Sequence, residues 1–171
     1  MGLLENAKMG IYRFIRVFRC NDVMEIMKPD AQTVLDIGCQ EMYFYNQLKE
    51  HYDVTLADCE PQNGDIVKQD VENLSFEDSS FDIVICLQVL EHVPDPVKAM
   101  KELKRVARKQ LIISVPNEPE FTFARMGTWE KEHLWAIQPA VFEHHLGKPD
   151  IFKTIILKRY CLFAWDIGEG D

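Results

Sequence analysis

The sequence predicts a mostly parallel α/β sheet flanked by helices. Three observations carry that prediction. Short apolar, β-branched runs recur along the chain: TVLDI at 33–37, DIVIC at 82–86 and LIISV at 111–115. Continuous runs of this kind suit strands buried on both faces. Stretches of helical periodicity alternate with them, and Gly, Pro and Asp punctuate the joins at Pro29-Asp30, Gly38 and Asp95-Pro96. The 171 residues suit a single domain, 1–171, whose core needs neither disulfide nor metal.

In chain order, residues 3–27 predict a helix within an N-terminal helical segment, 1–28. Leu4, Ala7, Ile11, Phe14, Ile15 and Phe18 form its stripe, with Lys8, Arg13, Arg16 and Arg19 mostly off it. A basic amphipathic helix can lie on a membrane surface; here it is expected to pack on its own domain. Thr33 to Ile37 is a strand closed by Gly38, and Tyr43 to His51 a helix. Asp53 to Ala57 and Asp65 to Lys68 are the next strands. Only residues 58–64 join them, fewer than the roughly 10–12 that a crossover with its helix needs. The crossover between the second and third strands is therefore predicted to be reduced to a turn. Asp82 to Cys86 is a central strand. Pro96 to Arg108 is a helix with Pro near its first turn, bearing Val97, Met100, Leu103, Val106 and Ala107 at helical spacing. Leu111 to Val115 is a further buried strand, and Ile151 to Trp165 supplies the final strand or hairpin.

Composition narrows the function. The net charge of −9, with 28 acids against 19 Lys and Arg, makes nucleic acid a poor expected partner. The acids concentrate in residues 50–95, which hold twelve of them against the single Lys68, whereas 98–109 hold six bases against Glu102. No apolar run reaches the roughly 18–20 residues of a membrane span, and the cytoplasm is the expected compartment. The five cysteines, Cys20, Cys39, Cys59, Cys86 and Cys161, form no C-x-x-C and read as reduced thiols.

Ligands of a parallel sheet bind at the carboxyl ends of its strands, near the switch in strand order. There the first strand runs on as VLDIGCQEMYFY, 34–45. It holds Gly38 but no G-x-G-x-x-G, which argues against NAD or FAD. With Asp36 two residues before Gly38, the run instead resembles motif I of class I, Rossmann-like S-adenosylmethionine-dependent methyltransferases, usually D-x-G-x-G-x-G. Gln40 and Met42 stand at two of the three glycines. The stretch QDVENLSFEDSSFDIVICLQVLEHVPDP, 69–96, resembles the type 11 and ubiquinone-biosynthesis-like branch of that family, and SVPN at 114–117 matches the end of its fifth strand. The likeness covers about residues 30–117, leaving 118–171 as a substrate-side segment.

The resemblance implies a cofactor, S-adenosylmethionine, with S-adenosylhomocysteine as product. It implies a site of Asp36, Gly38, Gln40, Asp58, Cys59, Asp70, Val71 and Leu87. Asp58 would accept from the ribose hydroxyls and Asp70 from the adenine amino group, beside the Val71 amide. Gln40 would either fill the cofactor's space or donate to its carboxylate. Glu91 and His92 would face the methyl position, and His92 and His133 are the catalytic candidates. Glu91-His92 also resemble the E-x-x-E-H metal motif of two subgroups, the ubiquinone-pathway O-methyltransferases and the small-RNA 3′-end 2′-O-methyltransferases. Gln88 replaces its first Glu, and Gln is a poorer ligand for a hard cation, so no metal is expected.

The expected activity is methyl transfer by in-line displacement to a small molecule, in a monomer or homodimer. Residues Asn117 to Gln138 would wall the acceptor with Phe121, Phe123, Trp129 or Trp135. Two alternatives stand beside it: a methyltransferase fold without the chemistry, acting as a binding module, and an RNA or protein methyltransferase.

Overall fold

The computed structural model describes residues 19–39, 44–117, 133–155 and 160–168. The strands are β1 (Thr33–Ile37), β2 (Asp53–Asp58), β3 (Ile66–Lys68), β4 (Phe81–Leu87), β5 (Ala107–Pro116), β6 (Ile151–Ile155) and β7 (Tyr160–Asp166). They form one sheet in the order β3-β2-β1-β4-β5-β7-β6. Strands β1 to β5 pair in parallel, and β7 runs antiparallel to both β5 and β6. The chain builds outward from β1 through β2 to β3, then returns to β1's other side as β4. That reversal is the switch point, between β1 and β4.

The apolar runs alternate between two cores. Leu35, Ile37, Val84, Cys86, Leu111, Ile113 and Phe163 face one layer, with α3 (Pro96–Val106) and α4 (Pro139–Leu146) packed on it. Val34, Ile83, Ile85, Ile112 and Leu162 face the other, where α1, helical over 19–26, buries Cys20, Val23 and Ile26. The stripe residues Leu4 to Phe18 expected to pack on the domain lie outside the described residues. Both faces of the central strands are dry, which is why the runs read as continuous.

Three elements differ from the sequence expectation. The helix α2 holds only Tyr45–Leu48, and 49–51 leave it in turns. The helix α3 stops at Val106 because Ala107 is already extended, so β5 starts there without a loop. The helix α4 was not predicted. Three expectations hold. Residues 59–65 carry no helix, and turns in which Asp58 and Asn63 accept from the Glu60 and Asp65 amides replace it. The five cysteines are free thiols, and among the described residues no helix is long and apolar enough to cross a membrane.

Asp82 ties the amino ends of the central strands together. Its buried carboxylate accepts from the Gln32 and Thr33 amides at 2.8 and 3.3 Å, and from the Arg108 guanidinium at 2.7 and 2.9 Å. Burial alone would raise its pKa, but these hydrogen bonds outweigh it and hold the carboxyl at about 2. A depressed carboxyl stabilises the fold above its unfolded value of 3.8 and loses that contribution as pH falls toward 2. Asp82→Asn should therefore unfold more easily than wild type at pH 7, and the gap should shrink by roughly 2 kcal/mol as pH falls from 5 to 2. Urea unfolding across that range checks it.

Candidate functional site

The carboxyl ends of β1, β2, β4 and β5 meet at the switch point. Gly38 leaves β1 there with φ 78°, and its amide donates to the Ala57 carbonyl of β2 at 2.8 Å. A Cβ at Gly38 would lie 2.2 Å from Val89 Cγ2. Position 38 thus needs glycine twice, once for the left-handed backbone and once for the close approach of the loop after β4.

Buried acids surround this turn. Asp36 and Asp58 end β1 and β2, and Glu91 lies in the loop after β4; all three are buried. Burial, reinforced by the Asp58 charge, raises the Asp36 carboxyl to about 7. Burial and the charges of Asp36 and Asp58 push the neighbouring Cys39 thiol up to about 12. The buried Cys86 thiol at the end of β4 is also raised, first by burial, then by Glu91 and Asp36. Asp58 accepts from the Glu60 amide at 2.9 Å, which fixes the carboxylate at the strand end. A carboxylate offers about four lone-pair sites, so Asp58 has the capacity for a diol as well. Cys59 is exposed beside it, and its thiol is raised by burial and by Asp58.

The loop after β4 assembles the histidines. Ring centroids of His92 and His133 stand 4.8 Å apart, edge to face. One ligand atom from each of Glu91, His92 and His133 lies within 4.8 Å of the others. The Glu91 carbonyl accepts from the Leu134 and Trp135 amides at 2.7 and 3.3 Å, and the Trp135 indole donates to the Val93 carbonyl at 2.8 Å. Residues 133–135 are thereby laid along the loop, with Leu134 and Trp135 exposed. Two imidazoles and a carboxylate are also a donor set that a borderline divalent cation accepts.

The other expected residues are more scattered. Asp70 is exposed, and its carboxylate caps its own turn by accepting from the Glu72 amide at 2.9 Å. The Val71 side chain is core. Leu87 ends β4, half-buried and packed toward the α1 layer. Gln40, Met42, Phe121, Phe123 and Trp129 lie outside the described residues.

With this geometry in view, residues 35–114 match a family profile described as a methyltransferase domain. The chain is 31% identical over 99 residues to a tRNA U34 carboxymethyltransferase of Nautilia profundicola, covering 46% of this chain and 33% of that enzyme. It is 29% identical over 110 residues to a ubiquinone biosynthesis O-methyltransferase of Coxiella burnetii, covering 56% of this chain and 47% of that enzyme. The chain therefore spans about a third to a half of the length of these curated relatives. An S-adenosylmethionine-dependent methyltransferase of Thermotoga maritima shares the fold at a TM-score of 0.70 and 15% identity, over 95% of this chain and 94% of that one.

Two features of this site escaped the sequence reading. Gln88 follows β4 with φ 60°, a conformation that Gly or Asn would have signalled and Gln does not. Ser114, buried in β5, is its partner. The glycine geometry yields a direct test. Gly38→Ala should cost about 2–4 kcal/mol, from left-handed strain plus overpacking. Adding Val89→Ala should restore the overpacking share only, as a denaturant-based double-mutant cycle would measure.

Proposed function

We propose that this chain binds S-adenosylmethionine at the switch point and transfers its methyl group to a small-molecule acceptor. One observation carries the reading: three buried carboxylates, Asp36, Asp58 and Glu91, surround a glycine turn that admits no side chain. Buried acids favour a cationic ligand, because a nearby positive charge lowers the cost of ionising them. At the opposite edge of the sheet the Asp82 carboxylate is matched within the chain by Arg108.

The fit extends to the ligand's parts. Asp58 would hold the ribose diol, and the left-handed Gly38 turn would let main chain approach. Asp70 and the Val71 amide would take the adenine edge. When bound, the cofactor supplies a methyl carbon activated by an adjacent sulfonium. The chain's own task is then alignment and water exclusion. His92 and His133, side by side in the loop after β4, would accept the proton that the acceptor loses. Leu134 and the pinned Trp135 indole would give the acceptor an apolar wall. The acidic 50–95 stretch favours a small acceptor over a polyanion, although one relative named above is a tRNA enzyme.

Titration calorimetry with S-adenosylhomocysteine tests the reading. Wild type should bind, and Asp58→Ala should bind about 10–100-fold more weakly, the cost of hydrogen bonds to a charged acceptor. No heat at millimolar ligand would overturn the proposal.

A second reading has one observation behind it, the gathering of Glu91, His92 and His133. A divalent cation there would orient an acceptor oxygen and lower its pKa. Tetrahedral ligands about 2.1 Å from zinc stand roughly 3.4 Å apart, so the three side chains would have to close on the ion. Zinc titrated into the purified protein should bind with unit stoichiometry, and His133→Ala should lose it; wild type without bound zinc would sink this reading.

A further inference from the structure

We propose that Gln88 and Ser114 form a positioning pair that fixes the loop after β4, and with it the segment 133–135, over the switch point. Its meaning for methyl transfer rests on the function proposed above; the placement itself does not.

The pair joins adjacent strand ends. Leu87 lies opposite Ser114 in the parallel β4–β5 register, so Gln88 is the first residue past the ladder. The Gln88 amide donates to the Ser114 carbonyl at 2.9 Å, and its side-chain Nε2 donates to Ser114 Oγ at 3.1 Å. Two bonds to one buried residue hold Gln88 in the left-handed region, which side chains rarely enter. The reversal at Gln88 turns the chain out of the sheet and brings Val89 against Gly38. It then starts the turn in which the His92 amide donates to the Val89 carbonyl at 2.9 Å. From there the Glu91 and Val93 carbonyls hold the Leu134 and Trp135 amides and the Trp135 indole.

The consequence runs in one direction. Ser114 is rigid because β5 is paired on both sides, to β4 and to β7. Gln88 carries that rigidity into a loop with no ladder of its own. Where a Glu in the metal-motif position would extend toward a cation, this Gln is turned back to the sheet. The acidic and imidazole groups of Glu91, His92 and His133 are presented without it. Gln88 is thus a positioning residue, acting on the site through the backbone.

Amide hydrogen exchange on the full chain tests the pair. Gln88→Gly accepts the left-handed backbone but removes the side-chain bond, so the fold should persist. Exchange at His92, Leu134 and Trp135 should rise at least tenfold in Gln88→Gly and in Ser114→Ala, while Val84 and Ile112 in the sheet stay slow. Ser114→Thr keeps the hydroxyl and should restore wild-type exchange. The His92 and His133 ring resonances, shifted by mutual ring currents in wild type, should move toward free imidazole values in the two loosened variants. Unchanged exchange at the three loop amides in Gln88→Gly would overturn the pair. Equal acceleration of Val84 and Ile112 would overturn it too, by revealing a general loss of stability. Wild-type binding of S-adenosylhomocysteine is scored separately: its failure removes the methyl-transfer reading and leaves the exchange result to decide the pair.

Discussion

The register of the central sheet hangs on one buried charge. Asp82 opens β4 and takes the amides that lead into β1 and the guanidinium that opens β5. Three parallel strands are thereby tied at their amino ends. In that register Ile37 pairs with Cys86 and Leu87 with Ser114, so the carboxyl ends of the three strands lie side by side. Everything proposed for this domain happens in the loops that leave from that edge. The same carboxylate is solvated from within by fixed donors, which lets an acid sit in the core without a raised pKa.

Asp36, at the other edge, behaves in the opposite way. Asp36 is buried beside Asp58, and the two repel, so the first is pushed upward rather than downward. The contrast between the two edges of one sheet separates structure from site. At the amino edge evolution of charge and countercharge is complete within the chain. A related economy fixes the loop between β3 and β4. Arg105 donates to the Leu74 and Phe76 carbonyls, and Glu102 accepts from the Leu74 amide, so α3 holds the turn that carries Asp70 and Val71.

Much of the sheet was legible because its strands are buried on both faces. Such runs are almost wholly apolar, and three of them, 33–37, 82–86 and 111–115, stand out between turn residues without any pairing information. The missing crossover was legible from chain length alone. The helix α4 was not, since its eight residues bury only Phe142 and Leu146 and include adjacent His144 and His145, which blur the stripe. Asp36, Gly38 and Asp58 were legible as strand-end residues, and the structure places them together. Asp70 follows β3 and is exposed. His92 and His133 could be listed as candidates, yet their contact spans 41 positions of chain and depends on the Glu91 carbonyl catching Leu134.

Sequence by itself determined the α/β class, the alternation of strands and helices, the short β2–β3 link and the residues at the strand ends. These are local matters, written in periodicity, in turn residues and in the length of a connection. Tertiary structure alone decided that Asp82 meets Arg108 while Asp36 lies buried beside Asp58. It alone showed that Gly38 is required by Val89 as well as by its own φ, and that Gln88 folds back on Ser114. The reason is physical: burial raises or lowers a carboxyl according to what packs against it, and a left-handed residue survives only where distant partners hold it. Neither can be read from a residue and its chain neighbours.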